Sequence, residues 1–135
     1  MKTEEYFIFL DGDQVGKRME QVILKSDISE VEELSKGISS QFHELQLKMT
    51  SLGIKVIIAA GDNIIGVGSQ EKIVSSFKHI NGSVVSISAG VGWELLDAYL
   101  ALRYAKSLGG GQIVESSRIL EPNGRNTLVF QLFKK

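Results

Sequence analysis

Cysteine is absent from all 135 residues, which excludes disulfides, a thiol nucleophile and any thiolate-ligated metal. The absence also fits a reducing cytosol. Proline occurs once, and no repeat or low-complexity stretch stands out, so there is no linker at which to divide the chain. Residues 1–135 therefore read as a single domain, long enough for a core of its own. Net charge is almost nil: 15 Lys and Arg face 16 Asp and Glu, leaving no basic field for a stable nucleic-acid partner. Long apolar runs are missing as well, the longest being about five residues against the roughly 20 that cross a bilayer, so no membrane insertion is expected. Glu4 and Glu5 stand where a secretory signal would be basic and then apolar, and the chain reads as cytoplasmic.

What is present is organised around Ala59-Ala60-Gly61-Asp62-Asn63. The flanking runs, Ile54-Lys55-Val56-Ile57-Ile58 and Ile64-Ile65-Gly66-Val67, are β-branched and read as buried strands. The gap between them allows only a tight turn, and Gly61 at its first central position suits a type II′ hairpin. Asp62 is thereby lifted to the hairpin tip. A second acidic cluster, Asp11-Gly12-Asp13, ends the apolar run Tyr6-Phe7-Ile8-Phe9-Leu10, which reads as a central strand. Two carboxylates flanking the carbonyl of Gly12 suit a hard divalent cation. The alternative use of the same residues is Asp13 as a helix N-cap and Asp11 as a turn residue.

Further along, Gln14 to Leu24 reads as a helix with Val15, Met19, Val22 and Ile23 on its apolar face. Lys17 and Arg18 lie one turn in, placed either to hold a phosphate or to be solvated. Ser29 and Glu32 form a capping box for a long helix whose apolar positions run from Val31 through Leu52, with Gly53 ending it. His43 on that helix reads as a surface or rim residue. Ser69 to Ile80 is a short helix, and Ser83 to Gly92 alternates serine with apolar residues as a strand with one buried face. Its small residues allow a close approach to the backbone. Trp93 to Leu108 is a helix with Leu95, Ala98, Tyr99, Leu102 and Ala105 facing in. Lys106 followed by Gly109-Gly110-Gly111 reads either as a helix end with its loop or as a phosphate cradle of one ammonium beside free N–H groups. Ile113-Val114 and Asn126 to Phe133 are further strands.

The order is βααββαβ with an extra C-terminal strand pair, an α+β, ferredoxin-like sandwich with an antiparallel central sheet. A right-handed crossover makes the first two strands parallel, and the third slots between them. Asp11 and Asp13 should then face Asp62 across strands about 4.8 Å apart. Three carboxylates so close repel one another unless a cation binds between them.

Four segments, in order, resemble the palm-type nucleotidyl cyclase and polymerase superfamily, which includes the GGDEF diguanylate cyclases. Phe9-Leu10-Asp11-Gly12-Asp13 is similar to its metal-binding first strand, and Ala60-Gly61-Asp62-Asn63 to its G-G-D-E or G-G-D-D turn. Ser86-Ile87-Ser88-Ala89-Gly90-Val91-Gly92 resembles the S-I-G-V-A strand, and Asp97 to Lys106 the helix that follows. Within the superfamily the chain looks most like the minimal CRISPR polymerase family (mCpol). The resemblance implies Mg²⁺ (or Mn²⁺) held by Asp11, Asp13, Asp62 and the Gly12 carbonyl, with Asp11 and Asp62 catalytic. It implies that Lys106 contacts a nucleoside triphosphate, ATP favoured over GTP, and Lys17, Gly61, Asn63 and Gly109 are the candidate nucleotide-binding residues beside it. The reaction implied is condensation of NTPs into a cyclic di- or oligonucleotide with release of pyrophosphate, by a homodimer, in antiviral signalling to a downstream cyclic-nucleotide-binding effector. Asn63 stands where the cyclases carry a carboxylate ligand. The rival readings are a hydrolase resembling the archaeal GTP cyclohydrolases and a catalytically inactive nucleotide-binding sensor.

Overall fold

Alternation in the first strand puts Tyr6, Ile8 and Leu10 on one face, and all three are buried in the computed structural model, which describes residues 5–133. This strand, β1 (Glu5–Gly12), lies at the centre of a six-stranded sheet with β2 (Lys55–Ala60), β3 (Asn63–Ser69), β4 (Ile87–Gly92), β5 (Ile113–Leu120) and β6 (Asn126–Phe133). The strand order is β2-β3-β1-β4-β5-β6, so the ferredoxin-like core and the added C-terminal pair are both as expected. Every neighbouring pair is antiparallel except β4 and β5.

The helices α1 (Val15–Leu24), α2 (Ile28–Ser51), α3 (Gln70–Ser76) and α4 (Leu95–Ser107) follow the expected order. Ile38, Phe42, Leu45 and Met49 of α2, with Ile73 of α3, pack on Ile8, Leu10, Ile64, Ile87 and Ile113 to form the main core. On the other face α4 sets Ala101 and Ala105 against Val114, with Tyr104 stacked on Phe130. None of these helices is long and apolar enough to cross a membrane.

Several local expectations are corrected. The α2 cap is Asp27, whose carboxylate accepts from the N–H of Glu30, not the Ser29–Glu32 box. Helix α1 buries no residue fully and Ile23 is exposed, while Val15 at its start packs against the main core. Ser69 caps α3, but Phe77–His79 continues as a 3₁₀ turn. The β2 flank is an edge strand with Ile57 and Ile58 exposed, since β3 alone pairs with it. In α4, Leu95 and Tyr99 are exposed, and Trp93 lies before the helix.

The largest correction concerns residues 83–86, which are not strand. Buried Gln41 takes their backbone instead: its Nε2 donates to the carbonyls of Asn81 and Val85 (both 2.8 Å), and its Oε1 accepts from the N–H groups of Val84 (3.3 Å) and Val85 (2.9 Å). A side-chain amide that satisfies both sides of a segment removes its need for a ladder. The shortened β4 is buried on both faces rather than one. The close approach expected at its small residues is made by α4: a Cβ on Gly90 would stand 2.1 Å from the Ala98 carbonyl oxygen and 2.3 Å from the Leu102 nitrogen.

Gly90→Ala therefore forces α4 off the sheet and is expected to cost about 3 kcal/mol or more, since the obstruction is backbone. Urea unfolding checks this; a cost within experimental error would show that α4 is not held so close.

Candidate functional site

The register of β1 fixes the site. Asp11 is paired with Asn63 on one side and Ser88 on the other, and the N–H of Gly12 donates to the Asp62 carbonyl at 2.9 Å. Asp11, Gly12 and the hairpin tip thus share one sheet edge, as expected. Gly61 takes φ 60° and is the turn residue with positive φ.

The N–H of Asp13 donates to the Ser86 carbonyl at 2.8 Å, on the β4 side of β1. Its carboxylate is then fully engaged: Ser86 Oγ and the Gly111 N–H donate to Oδ2 (2.7 and 2.8 Å), and Ser88 Oγ and Lys106 Nζ donate to Oδ1 (2.7 and 2.8 Å). Both carboxylate oxygens of Asp13 are thus hydrogen-bonded within the chain, with Lys106 among the donors. Asp13 is not the α1 cap; Gln14, in the left-handed region, holds that position without a side-chain bond. Among the described residues, no three acidic or imidazole side chains are placed together to hold a metal ion.

Lys106 ends up at the centre. Its Nζ lies 2.8 Å from the Gly12 carbonyl oxygen, 2.8 Å from Asp13 Oδ1 and 3.3 Å from Asp11 Oδ2. These contacts set the two carboxylates apart in acidity. Burial would raise Asp13, but the hydrogen bonds from Lys106, Ser88, Ser86 and Gly111 outweigh it and hold its pKa below the ordinary value. For Asp11 burial prevails over the attraction of Lys106, and Asp62 and Asp13 add repulsion, so its pKa is raised.

A divalent metal fits what remains. Asp11 Oδ2 and the Gly12 carbonyl already surround a cation, the ammonium of Lys106, and Asp62 stands across the same edge. Two carboxylates and a carbonyl are hard oxygen donors that leave coordination positions for phosphate and water. Asn63, beside Asp62, supplies a neutral oxygen at most.

Two open cavities flank this edge. One, of about 460 Å³, is lined by Ser39, His43 and Gln46 of α2 and by Gly61 and Asn63 of the hairpin, with His43 on its rim as expected. The other, about 390 Å³, brings Lys17 and Gly109 together with Asp13, Gln14 and Arg18. Arg18 donates to the Val84 carbonyl. The expected cradle of free glycine N–H groups is corrected: Gly109 and Gly110 donate to the carbonyls of Lys106 and Ala105, and Gly111 donates to Asp13 and Ser88. Three glycines are used because the loop closes on Asp13; a Cβ on Gly110, at φ 81°, would lie 2.7 Å from that carboxylate.

The residues that sequence reasoning missed are Ser86, Ser88 and Gly111 as holders of Asp13. Their signal is the i, i+2 serine pair, Ser88 on β4 and Ser86 just before it, which reaches one carboxylate. Asp97, inside the matched helix motif, is not at this edge. It is buried near Gly92 at the opposite end of β4 and accepts from Arg118 Nη2 at 2.7 Å.

The model of the minimal CRISPR polymerase domain, mCpol, matches residues 7–116. No curated protein matches the sequence. Among solved structures, the guanylate cyclase domain of RhGC from Catenaria anguillulae, in complex with GTP, superposes with a TM-score of 0.59 at 13% identity, covering 98% of each chain. The non-canonical dimeric guanylyl cyclase domain of the RhoGC fusion protein from Blastocladiella emersonii gives 0.55 at 12%, covering 96% of each. A diguanylate cyclase/phosphodiesterase from Caldicellulosiruptor saccharolyticus gives 0.55 at 16%, covering 84% of this chain and 77% of that one. At these identities the likeness is one of fold.

The opposite pKa shifts predict opposite pH profiles in chelator. Asp13, lowered in the fold, contributes stability above its unfolded pKa of about 3.9, lost as pH falls through its lower folded value. Asp11, raised, costs stability above about pH 4 and nothing once both states are protonated. At neutral pH Asp13→Asn should therefore lower the melting temperature and Asp11→Asn raise it, both differences shrinking toward pH 3, as thermal scans would show. Shifts of the same sign would refute the assignment.

Proposed function

This chain belongs to the minimal CRISPR polymerase (mCpol) family, and on that premise we propose that it is a metal-dependent nucleotidyltransferase making a cyclic di- or oligonucleotide from NTPs. The observation that supports the reading most is the meeting of Asp11 and the Gly12 carbonyl with the hairpin carboxylate Asp62 at one open edge. A ribose hydroxyl of one nucleotide attacks the α-phosphorus of another; the new P–O bond forms, the bond to pyrophosphate breaks, and the hydroxyl proton passes to solvent. Bound at this edge, Mg²⁺ or Mn²⁺ supplies activation of the hydroxyl and charge neutralisation at the leaving oxygens. Asp11, Asp62 and the Gly12 carbonyl hold it. Asp13 holds Lys106, and Lys106 and Lys17 receive the phosphates, whose charge needs such partners. The 460 Å³ cavity beside Gly61 and Asn63 is wide enough for a nucleoside.

Joining two nucleotides into a ring requires two to face each other, and a domain with one such edge achieves that as a symmetric pair. A dimeric cyclase domain shares the fold. ATP is the favoured substrate by family likeness, with an antiviral role and a cyclic-nucleotide-binding effector as its setting in the cytoplasm.

Incubating the purified chain with each NTP and Mg²⁺ or Mn²⁺, read by mass spectrometry, tests this. A cyclic adenine nucleotide is expected, and Asp62→Ala should lower its rate on the order of 100-fold or more. A ring-opened GTP product would transfer the chain to the hydrolase class, and metal-dependent binding without product would make it a sensor.

A further inference from the structure

Lys106 occupies the place where the reading above requires a divalent cation, and the inference here rests on that reading. An ammonium has three N–H donors, and Lys106 has three oxygen partners: the Gly12 carbonyl, Asp13 Oδ1 and Asp11 Oδ2. They are unequal. Asp13 is itself fixed by Ser86, Ser88 and Gly111, so its hold on the lysine is built in. Asp11 is about one-third exposed, and among the described residues Lys106 is the side chain that reaches it and the Gly12 carbonyl. Among the described residues, no other ammonium or guanidinium touches Asp11 or Asp13.

We propose that Lys106 is an internal counter-cation, a positioning residue that holds Asp11 and the Gly12 carbonyl in place before metal binds and competes with the metal for those two oxygens. A divalent ion needs its oxygens at about 2.0–2.1 Å, and an ammonium already within hydrogen-bond distance of the same atoms cannot share them without strong repulsion. Metal entry therefore requires the lysine to give up Asp11 and Gly12 while Asp13 keeps it at the site. The displaced ammonium then needs a new anion, and a triphosphate is one. Metal and triphosphate thus favour each other's binding, and by linkage the coupling is reciprocal. Free metal alone binds weakly, so the edge stays organised by its own lysine until nucleotide arrives.

The test is Mn²⁺ titration, by calorimetry or electron paramagnetic resonance, of the full chain and of Lys106→Met, with and without a non-hydrolysable ATP analogue. Without nucleotide, Lys106→Met should bind Mn²⁺ about tenfold more tightly, because a competing unit charge is gone. The analogue should tighten Mn²⁺ binding in the unaltered chain and do so much less in the variant. Equal or weaker Mn²⁺ binding by Lys106→Met would overturn the proposal, while Asp11-dependent Mn²⁺ binding in the unaltered chain would leave the metal site standing. Failure of both proteins to bind Mn²⁺ even with the analogue would overturn the metal site and the lysine's role together. Should Lys106→Met not fold, the Lys106 ¹⁵Nζ resonance of the unaltered chain, assigned by its loss in Lys106→Arg, serves instead. It should move with Mg²⁺ and analogue at the binding midpoint; a fixed resonance while Mg²⁺ binds would refute the exchange.

Discussion

The carboxylate of Asp13 ties the molecule together. It joins the end of β1 to two serines at the start of β4, to the last turn of α4 through Lys106, and to the glycine loop before β5 through Gly111. A partly buried anion is costly unless its oxygens are satisfied, and four donors satisfy these. Asp11 at the same edge shares only Lys106 with this network, at 3.3 Å. One acid of the D-x-D pair takes four donors, while its neighbour meets Lys106.

The two faces of the sheet are built on different physics, and the site depends on the difference. Branched side chains of α2 and α3 fill one face by volume. On the other, α4 lies almost on the backbone of β4, because Gly90 and Gly92 carry nothing to keep it off. The close packing sets how far the last turn of α4 stands from the end of β1, and so lets a lysine reach three oxygens on β1 and the turn after it.

Much of this was legible in the sequence because the signals were local and redundant. Alternation in β1, the spacing of Ile38, Phe42, Leu45 and Met49, and the Gly-Asp turn each specify an element, and the right-handed crossover brings Asp11 and Asp62 to one edge. What was not legible was nonlocal. Gln41 replaces strand pairing at residues 83–85 from the middle of a helix, and nothing in its neighbourhood announces this. Asp11 and Asp13 look equivalent in sequence, and they differ in the fold because Ser86, Ser88, Lys106 and Gly111 all donate to Asp13 whereas Asp11 meets Lys106. The glycine run reads both as a helix end with its loop and as a phosphate cradle, because positive-φ glycines look alike whether their N–H groups face a ligand or a carboxylate of the same chain.

The edge strand β2 has a consequence for solubility. It exposes Ile57 and Ile58 along a row of unpaired backbone groups, the kind of surface on which sheets add to sheets without limit. Its register with β3 shifts between Val56 and Ile58, which twists the strand where it is most apolar. The irregularity acts as a guard against fibre growth: it spoils the straight template that a second edge would need, while leaving the hairpin beyond it regular enough to aim Asp62.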